Sequence, residues 1–160
     1  MAMLISCTLQ GCVNENEPEG VALTVGDSLP EFSVIMTDGT VVSKASLKGK
    51  RGVLVFFNTD CSDCRKELPI VQQLWDKYKN NPDVVIALIA REETAEHIAA
   101  YWEANGFTMP YSPQEDREVY SLFAPSVIPR IYITDTKGII TFSSGDTDMP
   151  DLKELEDNLM

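Results

Sequence analysis

Metal-ligating side chains are scarce in this sequence: its 160 residues include one histidine, His97, and four cysteines. A structural zinc site takes four Cys or His ligands, and of the cysteines Cys7 and Cys12 lie in an apolar leader away from the patterned part of the chain. No metal centre is expected. Basic residues are also few. Thirteen Lys and Arg against 25 Asp and Glu leave a net charge of −12, which repels nucleic acid and anionic membrane surfaces. The chain has no phosphate loop, no internal repeat and no apolar run long enough to cross a bilayer by itself. What is present is an ordinary globular composition, 44% hydrophobic and 24% charged, with room for one α/β domain and a full core.

Met1 to Cys12 are mostly apolar or small and uncharged, and the acidic stretch Val13-Asn14-Glu15-Asn16-Glu17-Pro18-Glu19-Gly20 follows. This looks like the end of an export signal without its basic region. Leu9-Gln10-Gly11-Cys12 resembles the lipobox of bacterial lipoproteins, in which the cysteine is lipidated; Leu4-Ile5-Ser6-Cys7 is a second match. Cys12 is preferred, because the acidic tether then follows the anchor directly. The other reading is a tail whose cysteines are incidental. The expected division is a signal remnant over residues 1–12, a flexible acidic tether over 13–24 and one domain over 25–160. The location implied is the bacterial cell envelope, on its periplasmic or surface side, where disulfides persist.

Alternation of strand and helix signals organises the domain. Phe32–Met36 and Val41–Ser43 are two short strands about Thr37-Asp38-Gly39, a hairpin signal. Lys48-Gly49-Lys50-Arg51-Gly52 reads as a breaker ahead of a buried strand, Val53–Phe57. A helix follows from about Ser62 to Lys79, with Leu68, Val71, Leu74, Trp75 and Tyr78 on one face and Pro69 expected to kink it. Val84–Ala90 is a strand, and Thr94–Asn105 a helix ended by Gly106, with Ile98, Tyr101 and Trp102 inward. A shorter helix over Glu115–Phe123, strands over Arg130–Asp135 and Ile139–Ser143, and a closing helix over Asp151–Leu159 complete the pattern. Charges on the helices read as solvated faces.

Cys61-Ser62-Asp63-Cys64 stands where the buried strand gives way to the long helix. Two intervening residues suit a short disulfide or half of a zinc site, and the shortage of further ligands removes the second. Inert core thiols fit poorly with the polar stretch around them. A helix N-terminus lowers the pKa of a nearby thiol, so this placement points to thiol–disulfide chemistry.

The order of hairpin, strand, C-x-x-C helix with proline, strand, helix, then Val127-Ile128-Pro129 before a strand pair and final helix resembles the thioredoxin fold. With Gly26-Asp27-Ser28-Leu29-Pro30-Glu31-Phe32, Leu47-Lys48-Gly49-Lys50 and Cys64-Arg65-Lys66-Glu67-Leu68-Pro69, residues 25–160 resemble the TlpA/ResA family of envelope-tethered thiol–disulfide oxidoreductases. The resemblance implies a three-layer α/β/α sandwich with a mixed central sheet, an N-terminal β-hairpin and a strand–helix insertion. It implies no cofactor beyond a redox-active Cys61–Cys64 disulfide. Expected partners are envelope proteins bearing disulfides or dithiols and a membrane electron donor or acceptor. Contact with the membrane is expected only through a lipid anchor.

Within that frame Cys61, at the helix start, is expected to attack a partner disulfide, and Cys64, one turn in, to resolve the mixed disulfide. Pro129 matches the position of the fold's cis-proline, and Ile128 before it the residue whose backbone pairs with an extended substrate. Glu67, one turn after Cys64, matches a glutamate linked in the family to proton handling; the alternative is a surface glutamate. The chain departs from the family in carrying Asp60 and Asp63 where Trp and often Pro precede the cysteines, and Val55 where thioredoxin has a buried aspartate. Two carboxylates oppose a thiolate at Cys61, partly offsetting the helix terminus and the positive charges of Arg65 and Lys66, so a reducing potential is expected. Two other functions stand beside the reductase: a thiol peroxidase, from the threonine in Asn58-Thr59-Asp60-Cys61, and a binding module without redox turnover.

Overall fold

The computed structural model describes residues 20–160. Cys7, Cys12 and the greater part of the expected tether lie outside the described residues. Two short strands, β1 (Ser33–Ile35) and β2 (Val41–Ser43), pair antiparallel as a hairpin. Its turn is closed by Met36 N–H on the Thr40 carbonyl at 2.8 Å. The main sheet holds five strands in the order β5-β4-β3-β6-β7. These are β3 (Arg51–Phe57), β4 (Val84–Ala90), β5 (Tyr111–Ser112), β6 (Arg130–Thr134) and β7 (Ile140–Ser144). β3 runs parallel to β4 and β4 to β5, whereas β6 is antiparallel to both β3 and β7. The sheet is therefore mixed, and β3, whose residues 52–57 are all buried, is its centre.

Four helices cover the sheet: α1 (Ser62–Tyr78), α2 (Ala95–Asn105), α3 (Glu118–Ser121) and α4 (Leu152–Leu159). The β3–α1–β4 and β4–α2–β5 crossovers step in the same direction across the sheet, and their right-handedness places both helices on one face. Adjacent residues of a strand point to opposite faces, and Phe56 and Phe57 show the two layers. Phe57 meets Trp102 of α2, with ring centroids 5.3 Å apart. Phe56 meets Tyr120 of α3 at 5.5 Å and Phe123 at 4.8 Å. Phe32, before β1, stacks edge-on to Phe123, so the segment leading into the hairpin also covers that second face. The ion pair Lys77–Glu156 ties α1 to α4.

Most elements lie where the sequence pattern puts them, and the differences have physical reasons. β3 begins two residues early, because Arg51 and Gly52 pair with Val84 and Val85 instead of forming a breaker. Gly52 is needed there: a Cβ would stand 2.8 Å from the Thr134 hydroxyl, which accepts the Gly52 N–H at 3.2 Å. α1 is continuous through Pro69, whose missing N–H leaves the Arg65 carbonyl without its intrahelical donor. The expected helix over 115–123 shrinks to α3. The Gln114 and Asp116 carbonyls accept the N–H groups of Glu93 and Glu92, which holds that backbone extended before the helix can start.

α2 is capped by Thr94 Oγ1 and ended by Gly106 in the left-handed region at φ 66°. β5 has only two residues and no sequence pattern announces it. Thr37 of the hairpin turn donates its N–H to the Tyr111 carbonyl at 2.8 Å and accepts the Tyr111 N–H on Oγ1 at 3.2 Å. Ala22 and Leu23 pack on the core, and the Leu23 N–H reaches the Phe123 carbonyl at 2.8 Å.

Candidate active site

Cys61 is the N-cap of α1, in extended backbone at φ −78° and ψ 121°. Its sulfur accepts the Cys64 N–H at 3.3 Å, so one of the helix's unpaired donors is turned onto the sulfur. Cys61 is partly exposed, Cys64 is fully buried, and both are free thiols. The carbonyl of Ile128 comes to 3.5 Å from the Cys61 sulfur, where the thiol donates to it. The Ile128–Pro129 peptide bond is cis. Sequence positions 61, 64, 128 and 129 are thus brought together at one end of the sheet.

The loop that delivers Ile128 is fixed by side chains from the elements flanking it. Arg117 donates to the Pro125 carbonyl at 2.7 Å and Arg130 to the Ser126 carbonyl at 3.2 Å. The Tyr120 hydroxyl donates to the Val127 carbonyl at 2.6 Å. Val127 itself sits at φ 75°, a left-handed conformation rare for a β-branched residue. Strain of this kind persists only where the surroundings hold it, as these three donors do.

Burial separates the two thiols chemically. It pushes the Cys64 thiol well above the ordinary cysteine range, and the hydrogen bond with Cys61 adds to the rise. Glu67 is also buried, 1% exposed, so the surface-glutamate alternative is set aside. Burial pushes its carboxyl up to about 7, and neither oxygen has a hydrogen-bond partner among the described residues. A buried carboxyl with nothing to bond is costly when ionised. Glu67 therefore has a proton it can hold or release near neutrality, one turn from a thiol that holds its own tightly.

The two aspartates meet the positive side chains that the sequence places beside them. Asp63 is bonded to Lys66 at 2.7 Å. Asp60 faces the Arg65 guanidinium at 3.6 Å and His97 Nε2 at 3.8 Å. Each carboxylate brings its own cationic neighbour, so their opposition to a thiolate at Cys61 is weakened.

A second group of residues, absent from the sequence reading, holds the segment before Cys61. Glu93, buried at 4% exposure, accepts the Thr59 N–H at 2.8 Å on one oxygen and the Thr59 hydroxyl on the other. His97 Nδ1 meets that second oxygen at 2.8 Å. Arg65 donates through Nε to the Thr59 carbonyl and lies 5.5 Å from the centre of the Tyr101 ring. The one available signal was Glu93 standing directly before Thr94, the cap of α2, yet charge there reads equally as a solvated helix start. No group of residues able to hold a metal ion occurs among the described residues.

Comparison with known proteins follows the same lines. The model of the AhpC/TSA family matches residues 25–143. Thiol-disulfide oxidoreductase ResA of Bacillus thuringiensis (strain Al Hakam) is 28% identical over 116 residues, 72% of this chain, and the chain spans 66% of that relative's length. Thioredoxin-like protein YneN of Bacillus subtilis (strain 168) is 26% identical over 141 residues, covering 88% of this chain and 82% of the relative. Among solved structures, that of a candidate protein disulfide isomerase from Bacteroides thetaiotaomicron superposes with a TM-score of 0.76 at 27% identity. The superposition covers 86% of this chain and 91% of that one.

Proposed function

The chain belongs to the AhpC/TSA family, and we propose that it is a thiol–disulfide oxidoreductase of the cell envelope that reduces disulfides in partner proteins through Cys61 and Cys64. The observation that carries this reading is the asymmetry of the pair. The partly exposed Cys61 caps the helix beside the Ile128 carbonyl, and the buried Cys64 points an N–H at its sulfur from one turn away. Resemblance to proteins named as thiol–disulfide oxidoreductases supports the same chemistry.

In the reaction, the Cys61 thiolate attacks one sulfur of a partner disulfide, forming a Cys61–partner bond and releasing the other partner sulfur as thiolate. Cys64 then loses its proton and attacks Cys61, forming the Cys61–Cys64 bridge and releasing the second partner thiol. The partner gains two electrons and the protein loses them. Because burial makes the Cys64 proton hard to remove, the second step needs a base within the site. We assign that role to Glu67, one helical turn after Cys64, whose buried carboxyl exchanges near pH 7. Ile128, whose carbonyl stands beside the Cys61 sulfur, and Pro129 after it offer backbone to an extended partner segment.

A lipid anchor at Cys12 and a membrane component that returns electrons complete the proposal, on the strength of Leu9-Gln10-Gly11-Cys12 and the acidic stretch after it. No helix among the described residues is long and apolar enough to cross a membrane. The peroxidase alternative asks for a threonine hydroxyl turned to the attacking sulfur, whereas the Thr59 hydroxyl is bonded to Glu93. Titration of the dithiol against a thiol buffer tests the direction. A potential at or below about −230 mV, on a scale with thioredoxin near −270 and DsbA near −120, fits a reductase. A value near DsbA's reverses the direction, and absence of a reversible bridge ends the proposal.

A further inference from the structure

Thr59 is two residues from the attacking sulfur, and all three of its polar groups are held by charged side chains. Its N–H and hydroxyl go to the two oxygens of Glu93, and its carbonyl to Arg65. Glu93 reaches across from the end of β4, 34 residues away in sequence. Its own backbone is fixed, since the Glu93 N–H donates to the Gln114 carbonyl at 2.9 Å. The Asn58 side chain makes a parallel tie, donating to the Arg91 carbonyl at 3.0 Å. From this anchored segment the Cys61 N–H turns back to the Asn58 carbonyl at 3.2 Å, which closes the turn that places the sulfur at the helix cap.

A carboxyl group that accepts two donors from one residue, with His97 Nδ1 2.8 Å from one of its oxygens, is a directional device. Burying a charge is costly unless every such bond is made. A core that needed only to be filled at this point would hold an apolar side chain, so the buried carboxyl has to be explained by what it holds. It holds the single connection between the central strand and Cys61. Resting on the oxidoreductase reading above, we propose that Glu93 is a positioning residue for the attacking thiol. Its carboxylate, completed by His97, fixes the Thr59–Asp60 segment so that Cys61 is presented to a partner disulfide in line with the helix N-terminus.

The geometry separates this role from general stability. Glutamine at position 93 can still accept the Thr59 N–H on its oxygen while its amide donates to the Thr59 hydroxyl and to a neutral His97. Alanine can do neither. Valine at position 59 keeps the N–H bond and the volume but loses the hydroxyl bond.

The test is stopped-flow reaction of the reduced protein with an aromatic disulfide. Cys61 attacks it to release one coloured thiolate, and Cys64 then closes the bridge to release the second. Thermal melts run alongside. Wild type is expected to release both equivalents; release of neither would sink the oxidoreductase reading, a result separate from this proposal. Glu93→Ala is expected to slow the first release at least tenfold at a temperature well below its melting point, and Glu93→Gln to restore it to within threefold. Equal first-release rates for wild type and Glu93→Ala overturn the proposal, as does a Glu93→Gln rate as low as that of alanine. Should Glu93→Ala fail to fold, Thr59→Val decides: a slowing of several-fold supports positioning, and an unchanged rate overturns it.

Discussion

The sulfur of Cys61 lies 3.5 Å from the carbonyl oxygen of Ile128, 67 residues further along the chain. In the proposed reaction a partner segment at the 128–129 loop would meet Cys61 before the buried Cys64. Cys64→Ser is expected to accumulate covalent mixed disulfides with partner proteins, visible as dithiothreitol-sensitive bands on a non-reducing gel. Cys61→Ser is expected to accumulate none, and equal trapping by both variants would contradict the assigned order of attack.

Glu67 gives a pH dependence whose sign is fixed by its raised pKa. Its carboxyl titrates at about 7 in the folded protein against 4.5 for an ordinary glutamate. Between those values the unfolded chain has lost the proton and the folded one still holds it, so this group's contribution to stability is full below pH 4.5 and is lost as pH rises through 7. At one pKa unit per 1.36 kcal/mol the whole effect is roughly 3 kcal/mol. Glu67→Gln is expected to flatten that part of the pH–stability curve and to raise the melting temperature at pH 8. In single-turnover reduction it is expected to slow the Cys64 step, with the greatest loss above pH 7, where wild-type Glu67 is ionised and able to accept a proton.

Gly52→Ala is expected to destabilise the sheet at its centre. The new methyl meets the Thr134 hydroxyl at 2.8 Å, in a strand with no room to move. Overpacking of this kind costs about 1–3 kcal/mol, which at this chain length lowers the melting temperature by several degrees. Adding Thr134→Ala removes the obstacle and is expected to recover a good part of the loss; a double variant no better than the single one would place the cost elsewhere.

Trp102 joins three features: its ring meets Phe57 at 5.3 Å and Tyr111 at 4.9 Å, and its indole N–H donates to the Met109 carbonyl at 2.9 Å. Trp102→Ala is expected to cost about 3–5 kcal/mol by the usual scale for buried aromatic truncation. Trp102→Phe keeps the stacking and loses the hydrogen bond, so its denaturant midpoint should fall between those of wild type and the alanine variant. An alanine variant as stable as wild type would contradict this packing.

The elements that proved legible are those carrying their own local signal. The continuous apolar run at 53–57, the 3–4 spacing of Leu68, Val71 and Leu74, and Gly106 after α2 each determine structure over a few residues. The C-x-x-C reads clearly because its chemistry and its helix start coincide in sequence. What could not be read depends on distant partners. β5 is a strand only because Leu88 and Ile89 stand beside Tyr111 and Ser112. Arg65 and Lys66 stand beside Asp60 and Asp63 in the sequence, but the approach of His97 to Asp60 depends on the fold. The bond between Thr59 and Glu93 spans two strand ends, and neither residue differs locally from an ordinary polar loop position.

The contact between Thr37 and Tyr111 bears on how copies of this protein behave when crowded. An open sheet margin displays alternating donors and acceptors that a neighbouring chain can extend into a ribbon. Here that margin is two residues long, and the N–H and C=O of Tyr111 are both occupied by the hairpin turn. The hairpin turn thus acts as a bumper, leaving an approaching strand no free backbone at Tyr111 to join on that side of the sheet.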